Sequence, residues 1–165
     1  MTPHRANTPG HPDPARLPDF YRGVPGKRII AWLIDWVVAS VISALLLPLT
    51  FFLGLFIFPV MVAVVGFFYR WSTLASGSAT WGMRLMAVEL RDAEGLRLDG
   101  PTAFWHVALH YGLLIVSPGL LISGVVTLTT PKRQGLHDLV LGTVALNRAL
   151  GQRVQDGLGV PARRC

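Results

Sequence analysis

The stretch Lys27-Arg28-Ile29-Ile30-Ala31-Trp32-Leu33-Ile34-Asp35-Trp36-Val37-Val38-Ala39-Ser40-Val41-Ile42-Ser43-Ala44-Leu45-Leu46-Leu47 decides how the chain is read. About 20 apolar residues at ~1.5 Å rise per residue make a helix that covers the hydrocarbon core of a bilayer. This run has that length, opens on a basic pair and carries one carboxylate, Asp35, two turns further in. An aspartate at such depth costs about 2.5–3.5 kcal/mol on insertion scales. It needs a partner, a proton or a water-lined pocket, which makes Asp35 the first candidate for an ion or proton site.

Working outward, Pro48-Leu49-Thr50 is a short uncharged turn, and Phe51 to Trp71 is a second apolar block containing Gly54, Pro59 and Gly66. The two blocks together are too long for one crossing, so they read as an antiparallel hairpin with spans at about 28–47 and 51–71. Pro59 is a candidate kink, and Arg70-Trp71 marks the exit into the headgroups. A third apolar block, about 103–129, is interrupted by Ser117-Pro118-Gly119. It is either one long kinked helix or a re-entrant pair of short helices. Lys132, Arg133, Arg148, Arg153, Arg163 and Arg164 all follow it. Keeping them on the side of Lys27 and Arg28 favours the broken form, with both termini cytoplasmic.

The polar region between the second and third blocks predicts a small cytoplasmic β-hairpin at about 84–98. Its turn is Asp92-Ala93-Glu94-Gly95, where glycine supplies positive φ. A lone hairpin is marginal, so Thr143 to Leu146 is expected to add a third strand alongside Ala87 to Leu90. Asp99-Gly100-Pro101-Thr102 starts the next helix. Residues 1–25 are proline-rich and 148–165 are basic; both tails are expected to be disordered. The fold class is an all-α membrane protein: a two-helix hairpin, a third broken segment and the small hairpin outside the bilayer.

Composition agrees. The 165 residues are 52% hydrophobic and 15% charged, one domain by length, with no apolar leader in residues 1–26. The net charge of +6 lies in the tails and beside the apolar blocks, which argues for membrane topology over nucleic acid. The single cysteine, Cys165, excludes an internal disulfide and a cysteine metal site. No nucleophile–base pair or phosphate loop has a convincing context, so neither an enzyme nor a cofactor is expected.

Three polar constellations remain. Arg28 and Asp35 are seven residues apart, nearly two turns, and share one face. Asp138 is expected either to pair with Arg28, joining chain start to chain end, or to cap a short helix. His106 and His110 stand at i, i+4, a spacing that suits a metal, but no third ligand is near in sequence. They and His137 are therefore read as secondary polar residues, with no metal.

Lys27-Arg28 before an apolar helix, Ile34-Asp35 within it and the late Leu136-His137-Asp138-Leu139-Val140-Leu141-Gly142-Thr143-Val144 resemble the RDD family of small membrane proteins. Its one arginine and two aspartates would map onto Arg28, Asp35 and Asp138. Gly77-Ser78-Ala79-Thr80-Trp81-Gly82-Met83-Arg84-Leu85 is similar to the family's glycine-containing motif, with Met83 where a lysine is common. His106 stands where many members carry an arginine. The resemblance covers about Gly26 to Asn147 and implies a transport role, cation–proton antiport in some members.

Two functions follow as expectations. One is a small transporter or channel-like module using Asp35 for a proton or monovalent cation. The other is an accessory subunit that assembles or stabilises a larger membrane complex through Arg28, Asp35 and Asp138. Either implies the lipid bilayer as a partner, with self-association or another membrane protein to complete it, and no nucleic acid.

Overall fold

The computed structural model describes residues 11–51, 53–116 and 119–148. The remaining tail positions, including Arg153, Arg163, Arg164 and Cys165, lie outside the described residues, as do Ser117 and Pro118 of the break in the third block.

Helix α1 spans Val24–Leu46, with Pro25 in its first turn, where the missing N–H is not needed. Val24, Ala31, Asp35, Ala39 and Ser43 are buried along one stripe, while Leu33, Val37, Val41 and Leu45 on other faces are more than half exposed. In a bilayer that outer surface meets lipid. The small residues of the inner stripe let neighbouring backbones approach closely. Two 3-10 turns, Pro48–Thr50 and Leu53–Leu55, carry the chain to α2, Phe58–Gly77. Helix α2 begins and ends some six residues later than the expected 51–71 span. Pro59 falls in its first turn and starts the helix instead of kinking it. Helices α1 and α2 are each long and apolar enough to cross a membrane.

Ser78, at φ +54°, ends α2 in a left-handed cap, and the short helix α3, Trp81–Leu85, follows. Strand β1 is Val88–Arg91. The expected 84–98 hairpin does not form, because Arg84 and Leu85 are helical and residues 96–98 have another partner. Ser78 takes both edges: its carbonyl accepts from Leu90 N at 2.8 Å and its hydroxyl from Leu98 N at 2.8 Å. The Asp92 turn is present, with the Asp92 side chain accepting from the N–H groups of Glu94 and Leu96. The strand that pairs with β1 is β2, Val144–Asn147, antiparallel with Val88 opposite Asn147 and Arg91 opposite Val144. The sheet thus has two strands, not three, and joins distant parts of the chain.

The third apolar block forms α4, Gly100–Ile115, and α5, Gly119–Thr129. Asp99 caps α4 by accepting from Thr102 N at 2.9 Å, and Pro101 sits in the first turn. Helix α5 comes back toward α6, Leu136–Leu141, where the Ser123 hydroxyl accepts from Leu136 N at 3.0 Å. At ~1.5 Å per residue, α4 reaches about 24 Å and α5 less, both short of a full crossing.

The core lies where α1 starts and α2 ends: Val24, Ala31 and Leu74 pack with Val88, Leu90, Val107 and Ala145. The other face of the sheet is covered by the N-terminal segment. Residues 11–21 are ordered there, contrary to the disordered tail expected over 1–25. Phe20 and Tyr21 pack on Val144 and Leu146, and the Tyr21 hydroxyl donates to Pro12 O at 2.6 Å. Their cover buries Glu89 and Arg91, which hydrogen-bond each other at 3.1 Å. Phe20→Ala should lower the stability of the detergent-solubilised protein by about 3 kcal/mol, read as a depressed melting temperature. An unchanged melt would show that the segment is not part of the folded unit.

Candidate functional site

Two buried carboxylates organise the polar interior. Asp35, 1 % exposed, sits on α1 opposite the start of α3. One of its oxygens accepts from the Tyr69 hydroxyl and from Gly82 N, both at 2.9 Å; the other accepts from the Thr80 hydroxyl at 2.7 Å. Thr80 is the N-cap of α3, its hydroxyl also accepting from Met83 N at 3.2 Å. A Cβ on Gly82 would lie 2.2 Å from Ala31 O and 2.8 Å from the Asp35 carboxylate, so only glycine allows this approach. Asp35 therefore binds α1 to α2 and α3 together. Its charge partner is Arg70 on α2, 3.8 Å away, not Arg28.

The second carboxylate, Asp138, is fully buried on α6. The Arg28 guanidinium donates to it, Gly135 N donates at 2.9 Å and the Thr143 hydroxyl at 3.2 Å. Asp138 is thus both Arg28's partner and, as the third residue of α6, the acceptor for the N–H of the glycine that starts the helix. Burial is the largest single effect and works to raise its pKa, but the Arg28 charge and hydrogen bond, with His137 and His106 beside them, together hold the carboxyl well below the usual range. Beside it, burial brings the His137 imidazole down to about 3, an effect that Asp138 offsets only in part. His137 is therefore neutral at physiological pH.

The histidines that sequence spacing left apart converge here. The His106 ring packs edge-on to His137 with centroids 4.8 Å apart, and His110 does the same at 5.4 Å. His106 Nδ1 lies 3.3 Å from the Thr143 hydroxyl. Donor atoms of His106, His137 and Asp138 fall within 4.8 Å of one another, slightly wider than ligands on one metal ion stand. The Arg28 guanidinium already occupies that centre, on Asp138 and 3.2 Å from His137 Nε2, and it opposes a second positive charge.

Beside Asp35, and reaching His137 of the second node, lies a cavity of about 400 Å³. Arg28, Asp35, Arg70, His106, His110 and His137 contribute its polar walls, with Ser123 and Thr127 from α5. Arg70 is the residue that sequence reading missed. A basic residue before a tryptophan looks like an interfacial anchor, yet its side chain is only 11 % exposed and turns inward. Tyr69, Thr80, Gly82 and Thr143 were likewise passed over; only the Gly77–Gly82 spacing pointed toward them.

A family model for the RDD family matches residues 22–142, a range that includes both carboxylate nodes and every cavity-lining residue named above. No curated protein and no solved structure matches the chain.

The two nodes make a testable distinction. Arg28→Ala leaves a buried, unpaired carboxylate and should cost about 3 kcal/mol or more in stability. Adding Asp138→Asn should recover part of that loss. Equal and additive losses in this double-mutant cycle, measured by thermal melts in detergent, would show that the pair is not coupled.

Proposed function

Since the chain belongs to the RDD family and, with the apolar helices α1 and α2, is a membrane protein, we propose that it is a small transport-type module whose solute occupies the cavity between Asp35 and His137. The observation that carries this reading is a cavity of about 400 Å³ beside membrane-length helices, whose largely apolar wall is interrupted by two arginines, Asp35 and three histidines. Burying two guanidiniums, a carboxylate and three imidazoles around it is costly, and scaffolding alone does not require a void among them. Asp35 does not coordinate the solute directly, because donors from α2 and α3 already surround it. It holds the wall in shape and balances Arg70. The histidines are the groups suited to pass a proton along that wall, having one donor and one acceptor nitrogen each when neutral. Both termini lie on the cytoplasmic side in this proposal, which follows the basic flanks at Lys27-Arg28 and Lys132-Arg133. Self-association supplies the further helices that a two-span chain needs to enclose a path.

The alternative is an accessory role, in which the chain assembles or stabilises a larger membrane complex. The full complement of donors around Asp35 and Asp138 favours it, since both then act as fasteners. Purified protein in liposomes separates the two. Transport predicts proton-linked flux in wild type and its loss in His110→Ala, a substitution that leaves both carboxylate nodes intact. Folded protein that passes neither protons nor cations would overturn transport in favour of the accessory reading.

A further inference from the structure

The walls of the cavity differ in what they still offer. Asp35 and Asp138 each accept from three donors, so a cation arriving in the cavity finds the carboxylates engaged. Arg70 is in the opposite condition. It carries five N–H donors, and among the described residues it makes a single long hydrogen bond, to Trp32 O at 3.4 Å, with Asp35 3.8 Å away. His137 Nδ1 is buried and has no partner. The unused capacity is therefore mostly that of hydrogen-bond donors around a positive charge, which calls for an anion.

The way in is equally specific. The cavity is bounded by α1 on one side and α5 on the other, and its rim carries Ile29 and Leu128, each 62 % exposed, with Trp32 beside them. Gly124 of α5 lies on the same rim and a Cβ there would meet nothing within 4 Å. Charged and imidazole groups thus stand in a largely apolar wall that opens, past apolar lips, on helices that face lipid. Such a wall suits a molecule whose head is charged and whose tail belongs in hydrocarbon.

We propose that the cavity between α1 and α5 takes the headgroup phosphate of an anionic phospholipid, held by Arg70, with the acyl chains passing between Ile29 and Leu128 into the bilayer. Arginine's planar fork matches the phosphate oxygens, and the imidazoles of His110 and His137 line the same cavity and supply further donors. Arg28 stays on Asp138 and frames the opposite wall. This assignment rests on the cavity being the working site proposed above. Lipid retention is measured without flux, however, so the two readings fail separately.

The experiment is native mass spectrometry of the protein released from micelles containing equal amounts of phosphatidylglycerol and phosphatidylcholine. Wild type should retain phosphatidylglycerol preferentially. Arg70→Gln should weaken that retention by about tenfold or more, the loss expected on removing a charge-assisted hydrogen bond. Arg70→Lys should keep part of it. Gly124→Trp, which blocks the gap without altering any charge, should weaken it comparably, and it carries the test if Arg70→Gln does not fold. Arg97→Gln, at an exposed arginine that does not line the cavity, should change nothing. Equal retention of the two lipids would overturn the proposal. So would an equal effect of Arg97→Gln, an unaffected Gly124→Trp, or full competition by glycerol 3-phosphate, which would identify a soluble phosphate reaching the site from water.

Discussion

The contact between the Asp35 carboxylate and the backbone of Gly82 is the constraint on which the remaining arrangement depends. An isolated aspartate inside a membrane helix is unfavourable, and here it is made tolerable by donors from two other elements. Those donors are available only if α3 begins against the flank of α1, and that approach is open only to glycine. Once α3 is seated, Ser78 is fixed behind it, and Ser78 then orients β1 and the segment leading to α4. One buried charge thus sets the positions of α2, α3 and β1 together. The cost of burying it becomes a source of specificity, since a shifted register would leave the charge unpaired.

The second node works on the other end of the chain. Arg28 joins the start of α1 to α6, while β1 and β2 join the middle of the chain to its last strand. The two links lie at the same end of the molecule, where Lys27 also donates to the Asn147 side chain at 2.7 Å. Asn147 in turn donates to Asp19 O and Arg22 O, drawing in the N-terminal segment. A small packed core therefore sits against the membrane-length helices and holds α1, α2 and α4 at a defined separation. The cavity persists because its walls are anchored by this core and need not collapse onto one another to be stable.

Much of this was legible in the sequence. The apolar blocks, the break near Ser117 and the helix start at Asp99 follow from length, charge and turn chemistry, because each is a local signal. The meeting of Arg28 with Asp138 was readable by another route: a costly charge at each end of the chain leaves few ways to satisfy both. The inward turn of Arg70 was not readable. Its direction depends on helix phase, and the phase was misjudged because Pro59 looked like a kink when it is a start. With α2 running to Gly77, Arg70 lies two turns inside the helix and not at its exit. The hairpin failed for a similar reason. Residues 96–98 had a plausible strand pattern, but nothing local revealed that Ser78 would occupy the edge they needed. His106 and His110 showed their spacing at once, yet their neighbour His137 is remote in sequence, and no periodicity connects them.

The broken third block explains how so short a chain forms a polar interior at all. A straight helix over 103–129 would carry Ser123 and Thr127 to the far side of the membrane from His106. Folding back at the break returns them to the level of His137, where Ser123 meets Leu136 and Thr127 lines the cavity. Helices α4 and α5 are each too short for a full crossing, and Ser123 and Thr127 become cavity wall. In the proposed topology the break also keeps Lys132 and Arg133 on the side of Lys27 and Arg28. Charge topology and cavity formation thus impose the same requirement on this segment, and a proline–glycine interruption satisfies both.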